Sequence, residues 1–580
     1  METYEKWDIQ ELPLSSPFFR KKVESFLEAN GLRMEALDSY FTLQGEDGRI
    51  LAGAGLQKDI LKCVAVGSDM RSEGLMVLLV SHVLSIAAFR GLHNLKVFTK
   101  PEYETVFESL GFHLLAAAPK AILMENGRGL EDYCSYLAGF RKAGSSGVVV
   151  MNANPFTIGH EYLLQQAAGQ VDNLFVIPVK EDLSRFPYAE RRDMIRAGAP
   201  EDAIVLEGSD YQISAATFPT YFLKDLSDAS ETQMLLDIDL FCRHIAPAIG
   251  AGVRFAGSEP SDPLTARYNS LMREMLPQYG LEFRELERLC DAAGPVSATR
   301  VRTALDRGSY HDAAAITPVA CHKYLLAELA DRALTMELNA PLKPGLVGPD
   351  SRGAHSDMDV PLMLGGISAI RPFWPGMAVA QDSASLQKCG QEAEKAMMAA
   401  TGGVNTHRGA IFCLGLAVNA AGTASDRDME ATDSEALMQN RVRQVAQSVF
   451  DNRKNDSELH ITHGRDAVAR YNVRGAMEMA LDGYKELVEC WLQYYRSVKD
   501  ERLGLQKTLL MIMSQLDDTC VIHRVGYERA LEVKREAAAM LNDGCRHLED
   551  MCSRYAAEGI SPGGAADMLA MTVFIESILN

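Results

Sequence analysis

The chain has 580 residues, of which 47% are hydrophobic and 23% are charged. This length exceeds what one hydrophobic core usually organises, so we expect two or three globular domains and exclude both a single small module and a disordered chain. The 58 basic and 78 acidic residues give a net charge of −20. This charge argues against a general binder of nucleic-acid backbones, because such affinity depends on clustered cations.

The cysteine pattern and the apolar runs bear on the compartment. Eleven cysteines are scattered without a Cys-x-x-Cys pair, and the first residues lack a signal-peptide pattern. These features predict reduced thiols and a cytoplasmic protein. The longest apolar run, Leu75–Phe89, is interrupted by polar residues and is shorter than the roughly 20 residues that span a bilayer. It predicts a buried helix and no membrane association.

Residues 1–143 have the pattern of mixed strands and helices, with a strand over Ile60–Val66 ahead of the apolar helix. We therefore expect an α+β domain over residues 1–143. The Gly-Ser-Ser-Gly run at residues 144–147 is a plausible joint to the next domain.

The pattern from Gly147 onward is apolar strand, loop, helix and apolar strand, and this order predicts a parallel, Rossmann-like α/β sheet in residues 144–327. The first loop then lies at the carboxyl end of the first strand. Two later apolar runs are predicted to extend the sheet. The predicted segments are strand Val148–Met151, loop Asn152–Gly159, helix His160–Ala168, strand Leu174–Val179, and strands Met234–Leu240 and Val253–Ala256.

The loop of this domain reads Asn154-Pro155-Phe156-Thr157-Ile158-Gly159-His160. Gly159 lets the backbone approach a ligand closely. His160 and the free N–H groups of a helix start would together face an anion, and the most natural such ligand is a triphosphate. The alternative is an ordinary histidine at a helix start. The candidate nucleotide-binding residues here are Asn154, Thr157, Gly159 and His160.

A second motif, Pro295–Arg302, places hydroxyls and guanidinium groups just before a helical segment. Ser297, Thr299 and Arg302 suit a clamp on β- and γ-phosphate oxygens, because arginine offers a planar fork of donors. The alternative is a Ser/Thr-capped helix start with solvated arginines. Four further carboxylates are candidates for metal or nucleotide contact, or else solvated groups at strand ends: Glu181, Asp182, Asp237 and Asp239.

The two motifs together resemble the nucleotidyltransferase superfamily, and further segments point to one family within it. Over residues 1–327 the chain resembles the citrate lyase ligase family, in which an acetyltransferase-like module precedes the nucleotidyltransferase. The segments that carry this resemblance are Asn154–His160, Ser184–Pro187 followed by Arg191, Arg254–Pro260, Thr265 and Tyr268–Asn269.

The resemblance implies that ATP and acetate give acetyl-adenylate and pyrophosphate, and that the acetyl group then passes to a thiol. That thiol belongs to the prosthetic group of the acyl carrier subunit in the citrate lyase complex. His160 and Arg302 are the catalytic candidates because phosphate charge grows as pyrophosphate leaves, and Mg²⁺ is expected to share that charge.

In the amino-terminal domain, Arg71–Leu75 resembles the pyrophosphate-binding loop of acetyltransferases, although bulky Met76 stands where the family has a small residue. Phe107–Phe112 resembles the closing helix-to-strand segment of that fold. We expect a module that positions the carrier's pantetheine-like arm or is structural, rather than an active acetyltransferase.

After about residue 325 the chain takes helical spacing, which predicts an all-α domain over residues 328–580. Five polar clusters interrupt it. Carboxylates together with histidines and arginines suit Mg²⁺ plus a polyphosphate, although any one such cluster is more often a capped, solvated loop. The clusters are Lys343–Val347, Gly353–Asp359, Gly403–Ala410, Asp517–Arg524 and Ser561–Asp567.

The five clusters together resemble the triphosphoribosyl-dephospho-CoA synthase family, which makes the precursor of the citrate lyase prosthetic group from ATP and dephospho-CoA and releases adenine. The resemblance implies phosphate or nucleotide contacts, metal or cation stabilisation, and catalytic roles for Asp357, Asp359 and Asp518. The contact residues are Lys343, His355, His407, Arg408 and Arg524, and the metal candidates are Asp357, Asp359, Asp517 and Asp518, with Asp567 a further cation-stabilising carboxylate.

Two departures put this second activity in question. Ala476 follows Arg474-Gly475 where the family has glutamate, and Gly348 stands where aspartate is usual. The loss of these two carboxylates predicts that the carboxyl-terminal part is slow, altered in specificity or inactive. Two other readings stay open: an adenylyltransferase of coenzyme A or dinucleotide synthesis, and an adaptor whose degenerate carboxyl half only docks the carrier.

Overall fold

The computed structural model describes residues 8–70, 74–181, 183–213, 218–223, 227–259, 262–424, 434–453 and 463–580. The chain divides into two compact units, Met1–Val296 and Ser297–Asn580. The expected domain limits at residues 143/144 and 327/328 stay predictions.

The amino-terminal part of the first unit is a seven-stranded mixed sheet in the order β1-β2-β3-β4-β5-β7-β6. All its neighbouring strands are antiparallel except β4 and β5. The elements are β1 (Ile9–Leu12), α1 (Pro17–Ala29), β2 (Ser39–Gln44), β3 (Ile50–Gln57), β4 (Ile60–Val66), α2 (Leu75–Phe89), β5 (Leu95–Thr99), α3 (Glu104–Ser109), β6 (His113–Ala117), β7 (Ile122–Asn126) and α4 (Gly129–Ala138).

The predictions for this sheet are confirmed at β4 and α2. Leu75, Leu79 and Val83 of α2 are buried with strand residues of β2 to β5 in one hydrophobic cluster, as apolar residues at helical spacing require. The segment Arg71–Glu73 of the acetyltransferase-like loop lies outside the described residues.

The rest of the first unit is a five-stranded parallel sheet in the order β10-β9-β8-β11-β12. This is the predicted α/β sheet, with the helix-bearing loop at the carboxyl end of β8. Its elements are β8 (Ser146–Met151), α5 (Ile158–Ala168), β9 (Asn173–Pro178), α6 (Tyr188–Gly198), β10 (Ile204–Val205), α7 (Ser227–Leu240), α8 (Ala246–Ile249), β11 (Val253–Gly257), α9 (Pro263–Met275), β12 (Glu282–Leu286) and the short hairpin β13 (Cys290–Asp291) and β14 (Gly294–Pro295).

One strand prediction is wrong. Met234–Leu240 forms the last turns of helix α7, and a π-helical turn at Phe241–Ile245 continues it. A short apolar run cannot by itself separate a buried strand from a buried helix. Val253–Ala256, predicted in the same way, lies within strand β11 as expected.

The second unit is helical throughout its described residues, as predicted, with a single isolated bridge between Gly348 and Ser351. Helices α12, α16 and α25 supply much of its core. The helices are α10 (Ala298–Asp306), α11 (Tyr310–Ala314), α12 (His322–Asn339), α13 (Val360–Ile370), α14 (Trp374–Ala378), α15 (Ser383–Ala400), α16 (Arg408–Gly422), α17 (Ser434–Arg453), α18 (His463–Tyr471), α19 (Ala476–Leu481), α20 (Leu492–Ser497), α21 (Glu501–Gln515), α22 (Thr519–Val525), α23 (Tyr527–Asn542), α24 (Leu548–Glu558) and α25 (Gly563–Leu579).

Within the described ranges, no helix has the length and apolarity that a bilayer crossing requires.

Candidate active sites

The predicted phosphate-binding loop leads from β8 into α5. Thr157 caps the helix: its hydroxyl accepts from the His160 N–H at 3.3 Å, and the Thr157 N–H donates to His160 Nδ1 at 3.0 Å. Gly159 lies against the Val296 carbonyl, 3.2 Å from where a Cβ would stand. The Asn154 amide oxygen accepts from the Phe186 N–H at 3.1 Å, so that it also positions the neighbouring loop.

His160 is half-buried and stacks on fully buried Phe156, with ring centroids 5.5 Å apart. Burial, with the nearby Arg288 charge as a second cause, lowers the pKa of His160 to about 4. Because Nδ1 accepts a backbone hydrogen bond, the neutral ring carries its proton on Nε2. The side chain therefore offers one N–H donor at the start of a helix, where the free backbone N–H groups also favour an anion.

Arg191 proves to be a structural clamp. Its side chain is fully buried and donates to the carbonyls of Asn152, Val179 and Glu181, at 2.8, 2.8 and 3.0 Å. These carbonyls belong to the loops after β8 and β9. Arg191 therefore fixes the carboxyl ends of two neighbouring strands to each other, which is where a parallel α/β sheet binds its ligand.

A cation that the sequence analysis did not single out lies at this edge. Arg288, two residues beyond β12, pairs with Glu259 at 2.6 Å, and its charge lowers the pKa of His160. No local pattern marks Arg288, because its relation to His160 comes from the register of β8, β11 and β12. The site thus has a positive charge beside the helix start.

Glu181 joins a polar network at the same edge, accepting from the Asn152 amide at 2.8 Å and the Ser184 hydroxyl at 2.6 Å. Asp182 lies outside the described residues.

Asp237 and Asp239 lie on helix α7, so their expected location at a strand end is wrong. Asp237 accepts from the Ile213 N–H at 2.9 Å, and burial raises its pKa. Asp239 is 2% exposed and accepts from the Ala117 N–H of β6 at 2.8 Å. Asp239 therefore ties α7 to the mixed sheet.

The second predicted phosphate motif opens the second unit. Ser297 caps α10 by accepting from the Arg300 N–H at 3.3 Å, and Arg302 donates to the Thr299 hydroxyl at 3.0 Å. The capped helix start is thus present. Whether Ser297, Thr299 and Arg302 also hold phosphate stays a prediction.

The five polar clusters of the second unit, which run from residue 343 to residue 567 in sequence, converge on the start of α25. Gly345, at φ +73°, lies so close to the Ile560 carbonyl that a Cβ would stand 1.9 Å from its oxygen. A Cβ at Gly409 would stand equally close to Asp567 Oδ2, at 1.9 Å. A larger residue at Gly345 would clash with backbone and one at Gly409 would displace the Asp567 carboxylate, so these glycines lie where clusters meet.

His355 connects the second and fifth clusters. Its Nε2 lies 2.8 Å from the Ser561 hydroxyl, and its Nδ1 lies 3.3 Å from an Arg524 Nη2 donor and 3.8 Å from Asp357 Oδ1. Burial, followed by the Arg524 charge, lowers the pKa of His355. The structure therefore brings together His355, Arg524 and Asp357, three residues of the predicted phosphate and metal set.

Lys343 and His407 form the buried side of this site. Lys343 Nζ donates to the Glu337 carboxylate and carbonyl, both at 2.7 Å. His407 is 4% exposed; its Nδ1 lies 2.9 Å from the Thr406 hydroxyl, and its buried Nε2 has no hydrogen-bond partner. Burial, with the Lys343 charge as a second cause, lowers the pKa of His407 to about 4.

The four predicted metal ligands do not share one set of partners. Asp359 caps α13 and pairs with Arg352 at 2.8 Å, and Asp517 pairs with Lys534 at 2.7 Å. Asp518 accepts from the N–H groups of Cys520 and Ala565, at 2.8 and 2.9 Å. Among the residues that the structure describes, no group of three or more His, Cys, Asp or Glu side chains is arranged to hold a metal ion.

One more carboxylate and a surface arginine belong to the predicted set. Burial together with the Asp518 and Glu337 charges raises the pKa of Asp567 well above the usual range. Arg408 is half-exposed and pairs with Glu394.

The structure shows the surroundings of Gly348 and Ala476, the two residues that depart from the family pattern. A Cβ at Gly348 would stand 3.2 Å from Lys343 Cε, so an aspartate there would add a carboxylate beside this lysine. Ala476 begins α19, where Glu478 accepts from the Gly475 N–H at 3.0 Å, while Arg474 pairs with Asp482 and Glu486.

Two family models match the chain: "Citrate lyase ligase C-terminal domain" over residues 146–325, and "ATP:dephospho-CoA triphosphoribosyl transferase" over residues 323–580. A citrate [pro-3S]-lyase ligase of Escherichia coli is 39% identical over 314 residues, covering 52% of this chain and 89% of that protein. An Azotobacter vinelandii protein described as a probable 2-(5''-triphosphoribosyl)-3'-dephosphocoenzyme-A synthase is 36% identical over 274 residues, covering 43% of this chain and 90% of that protein.

A solved Klebsiella pneumoniae structure described as an acyl-CoA N-acyltransferase aligns with 21% of this chain and 97% of its own, at 15% identity and a TM-score of 0.18. The chain spans 89% of the length of the Escherichia coli relative and 90% of that of the Azotobacter vinelandii relative. The chain therefore belongs to the citrate lyase ligase family in its amino-terminal half and to the triphosphoribosyl-dephospho-CoA synthase family in its carboxyl-terminal part.

Proposed function

We propose that the amino-terminal half is an acetate ligase that acts on the acyl carrier subunit of citrate lyase. An acetate oxygen attacks the α-phosphorus of ATP and pyrophosphate leaves; the carrier thiol then attacks the acetyl carbonyl and AMP leaves. The observation that carries this proposal is the His160 arrangement at the start of α5, within a chain whose relatives are citrate lyase ligases.

The residues at the β8 loop suit a reaction that needs charge stabilisation rather than a base. Acetate is already ionised at neutral pH, since carboxyl pKa values lie near ~4. His160 Nε2–H donates to a phosphate oxygen, and the free N–H groups of α5 add further donors. The positive charge of Arg288 stabilises the negative charge that grows on the departing pyrophosphate. Ser297, Thr299 and Arg302 are proposed as further phosphate ligands.

The test is acetate-dependent exchange of labelled pyrophosphate into ATP. His160→Ala is expected to lower exchange by about 100-fold or more, the size typical for loss of a key transition-state donor. His113→Ala, which changes a half-exposed histidine of the same unit, is the matched control and leaves exchange unchanged. Near-normal exchange in a folded His160→Ala protein, or exchange that needs a phosphorylated acceptor instead of acetate, contradicts the proposal.

For the carboxyl-terminal part we propose transfer of the triphosphoribosyl group of ATP to dephospho-CoA. A ribose hydroxyl of dephospho-CoA attacks the anomeric carbon of ATP, the glycosidic bond breaks, and adenine leaves with a proton. The convergence of five clusters on α25 supports this function. Lys343, His355, His407, Arg408 and Arg524 are the proposed contacts to the triphosphate.

Mg²⁺ belongs to this proposal as the partner of the triphosphate. It needs only one or two protein carboxylates when phosphate and water oxygens supply the rest, so the absence of a three-residue cluster among the described residues does not conflict with it. Asp357 is the best-placed ligand: it is exposed and lies beside His355, whereas Asp359, Asp517 and Asp518 are engaged by Arg352, Lys534 and backbone N–H groups.

Adenine release from ATP, Mg²⁺ and dephospho-CoA, followed by chromatography, tests this second function. Release that requires dephospho-CoA and falls in His355→Ala supports it. Binding of the carrier without any adenine release contradicts it and favours an adaptor role, the outcome that the departures at Gly348 and Ala476 would explain.

A further inference from the structure

The mixed sheet of the first unit has a gap between two of its central strands. Parallel strands β4 and β5 pair only at Ile60 with Lys96 and at Leu61 with Val97, and the rest of both strands has no ladder between them. Buried backbone groups facing such a gap need other partners, because an unpaired N–H or C=O costs about as much as a lost hydrogen bond.

A segment of the same chain, Phe218–Leu223, occupies this gap. The Tyr221 hydroxyl donates to the Phe98 carbonyl of β5 at 3.4 Å and lies beside the backbone of Cys63 in β4. Phe218 packs edge-on against Phe98, with ring centroids 5.5 Å apart. Phe218, Tyr221 and Phe222 are each 5–6% exposed. The Tyr221 hydroxyl therefore lies between the two strands where their own pairing stops, and it is hydrogen-bonded to β5.

The backbone of β4 is shaped for this contact. Cys63 has a φ of +52° within an irregularity of the β3–β4 register, which turns its peptide groups out of the regular ladder. Its carbonyl accepts from the Tyr40 hydroxyl at 3.3 Å. The carbonyl of the bulged residue is thus satisfied by a tyrosine hydroxyl, and Tyr221 is buried in the same cluster as Tyr40 and Cys63.

The ends of the segment are also held. Glu35 Oε1 accepts from the Thr220 N–H at 2.7 Å, the Arg33 N–H donates to the Tyr221 carbonyl at 3.2 Å, and Arg33 Nη2 donates to the Thr220 carbonyl at 2.8 Å. These partners come from the stretch between α1 and β2.

The same loop has a second anchor on this sheet. Tyr211 pairs with fully buried Glu125 of β7, and Lys96 of β5 lies over its ring at 4.8 Å. Tyr211 and Tyr221 both belong to the connection between β10 and α7 in the parallel sheet. The mixed sheet therefore contacts this connection through two tyrosines, Tyr211 and Tyr221.

We infer that the gap between β4 and β5 is a receptor for the chain's own segment 218–223, and that the mixed-sheet module anchors the β10–α7 connection instead of binding a pantetheine arm there. A pantetheine arm is the competing occupant, since its amide groups could pair with the same donors and acceptors. Its entry would remove Tyr221 from both strands and expose three buried aromatic side chains. The inference stands whether or not the proposed ligase activity is found.

The first experiment maps thiol reactivity in the full-length protein with N-ethylmaleimide and peptide mass spectrometry. Cys63 is 0% exposed beneath the segment, and Cys290 is the exposed reference in the same unit. We expect Cys63 to react roughly 100-fold more slowly than Cys290, because the closed gap limits access. Equal rates would show an open gap and overturn the inference.

Variants of the segment make the test specific. The double variant Phe218→Ala, Tyr221→Ala removes two rings and is expected to raise the Cys63 rate roughly tenfold or more, since local opening becomes frequent. Tyr103→Ala, which truncates an exposed aromatic residue, is the matched control and leaves Cys63 protected. An unchanged Cys63 rate in the folded double variant would contradict the inference.

A milder variant covers the case in which the double variant does not fold. Tyr221→Phe keeps the ring and loses only the hydroxyl that binds the Phe98 carbonyl, so the segment is expected to open more often and amide hydrogen exchange at Cys63 is expected to rise roughly tenfold. Unchanged exchange there would show that the hydroxyl does not hold the segment in the gap and would contradict the inference. The same measurement on the wild type with millimolar S-acetylpantetheine is expected to show no added protection over residues 60–66 and 95–99, and added protection would make the gap a pantetheine site.

Discussion

His160 and His407 share one arrangement at the scale of single residues. In each, Nδ1 is engaged by a threonine beside it at the start of a helix, the ring is at least half-buried, and the pKa is lowered to about 4. Both rings are therefore neutral at physiological pH. In the proposed reactions they act as fixed hydrogen-bonding groups beside phosphate, while the positive charge comes from Arg288 and Lys343.

The buried His407 predicts a pH dependence of stability. Its folded-state pKa of about 4 lies below the ordinary value of 6.5, so the unfolded state binds more protons between these values. The contribution of His407 to the free energy of unfolding is full above pH 6.5 and is lost as the pH falls from 6.5 to 4. Below about pH 4 the loss is complete and no longer changes with pH. The loss is at most about 3 kcal/mol.

Chemical denaturation of His407→Gln at several pH values checks this. The variant is expected to lose less stability than the wild type between pH 6.5 and 4, because its side chain does not titrate. His547→Gln changes a mostly exposed histidine of the same unit and should keep the wild-type slope. Parallel curves for the wild type and His407→Gln would disprove the assigned shift.

Which site residues the sequence can predict depends on where their partners lie. His160 is predictable because Thr157 and the helix start that orient it are within three residues. Arg191 is predictable only as part of a resemblance, since the carbonyls that it binds come from two different loops. Arg288 has no local signal at all, because only the pairing of β11 with β8 and β12 brings it to the site.

At the scale of elements, Asp518 joins two helices. It caps α22 through the Cys520 N–H, and its other oxygen accepts from the Ala565 N–H in the first turn of α25. The carboxylate is 7% exposed. The sequence marks Asp518 as a polar loop residue, but only the packing of α25 on α22 shows that it also has a structural task.

We expect Asp518→Ala to lower the free energy of unfolding by about 2–4 kcal/mol, because two helix starts lose a charged cap and buried N–H groups are left unpaired. Urea titration followed by circular dichroism measures this. Asp517→Ala, its neighbour, removes only a partly exposed ion pair with Lys534 and should cost about 0–1 kcal/mol. Equal effects of the two substitutions would refute the proposed double cap.

Helix and strand predictions succeed where the pattern is long or bounded by turns. Leu75–Phe89 and Ile60–Val66 match α2 and β4. Met234–Leu240 fails because a seven-residue apolar run fits either a strand or one face of a helix, and the buried acids Asp237 and Asp239 find partners on other elements. The gap between β4 and β5 is not visible in any pattern, since it is a property of strand pairing.

At the scale of the whole molecule, the chain carries two candidate sites that are built from different kinds of elements. The first uses the carboxyl edge of a parallel sheet, and the second gathers loops at the start of a central helix. The proposed reactions are related, because one makes the precursor of the prosthetic group whose thiol the other acetylates. Neither reaction consumes a product of the other in a single turnover, so each site is expected to work with its own substrates alone.

This independence gives a prediction for two matched variants, each measured in both assays. His160→Ala is expected to lose acetate-dependent pyrophosphate exchange and to keep dephospho-CoA-dependent adenine release. His355→Ala is expected to show the reverse, because its contacts to Ser561 and Arg524 lie wholly within the second unit. Circular dichroism of each variant verifies folding. If either substitution lowers both activities in a folded protein, the two reactions share groups or depend on each other, and the assignment of one reaction to each site is wrong.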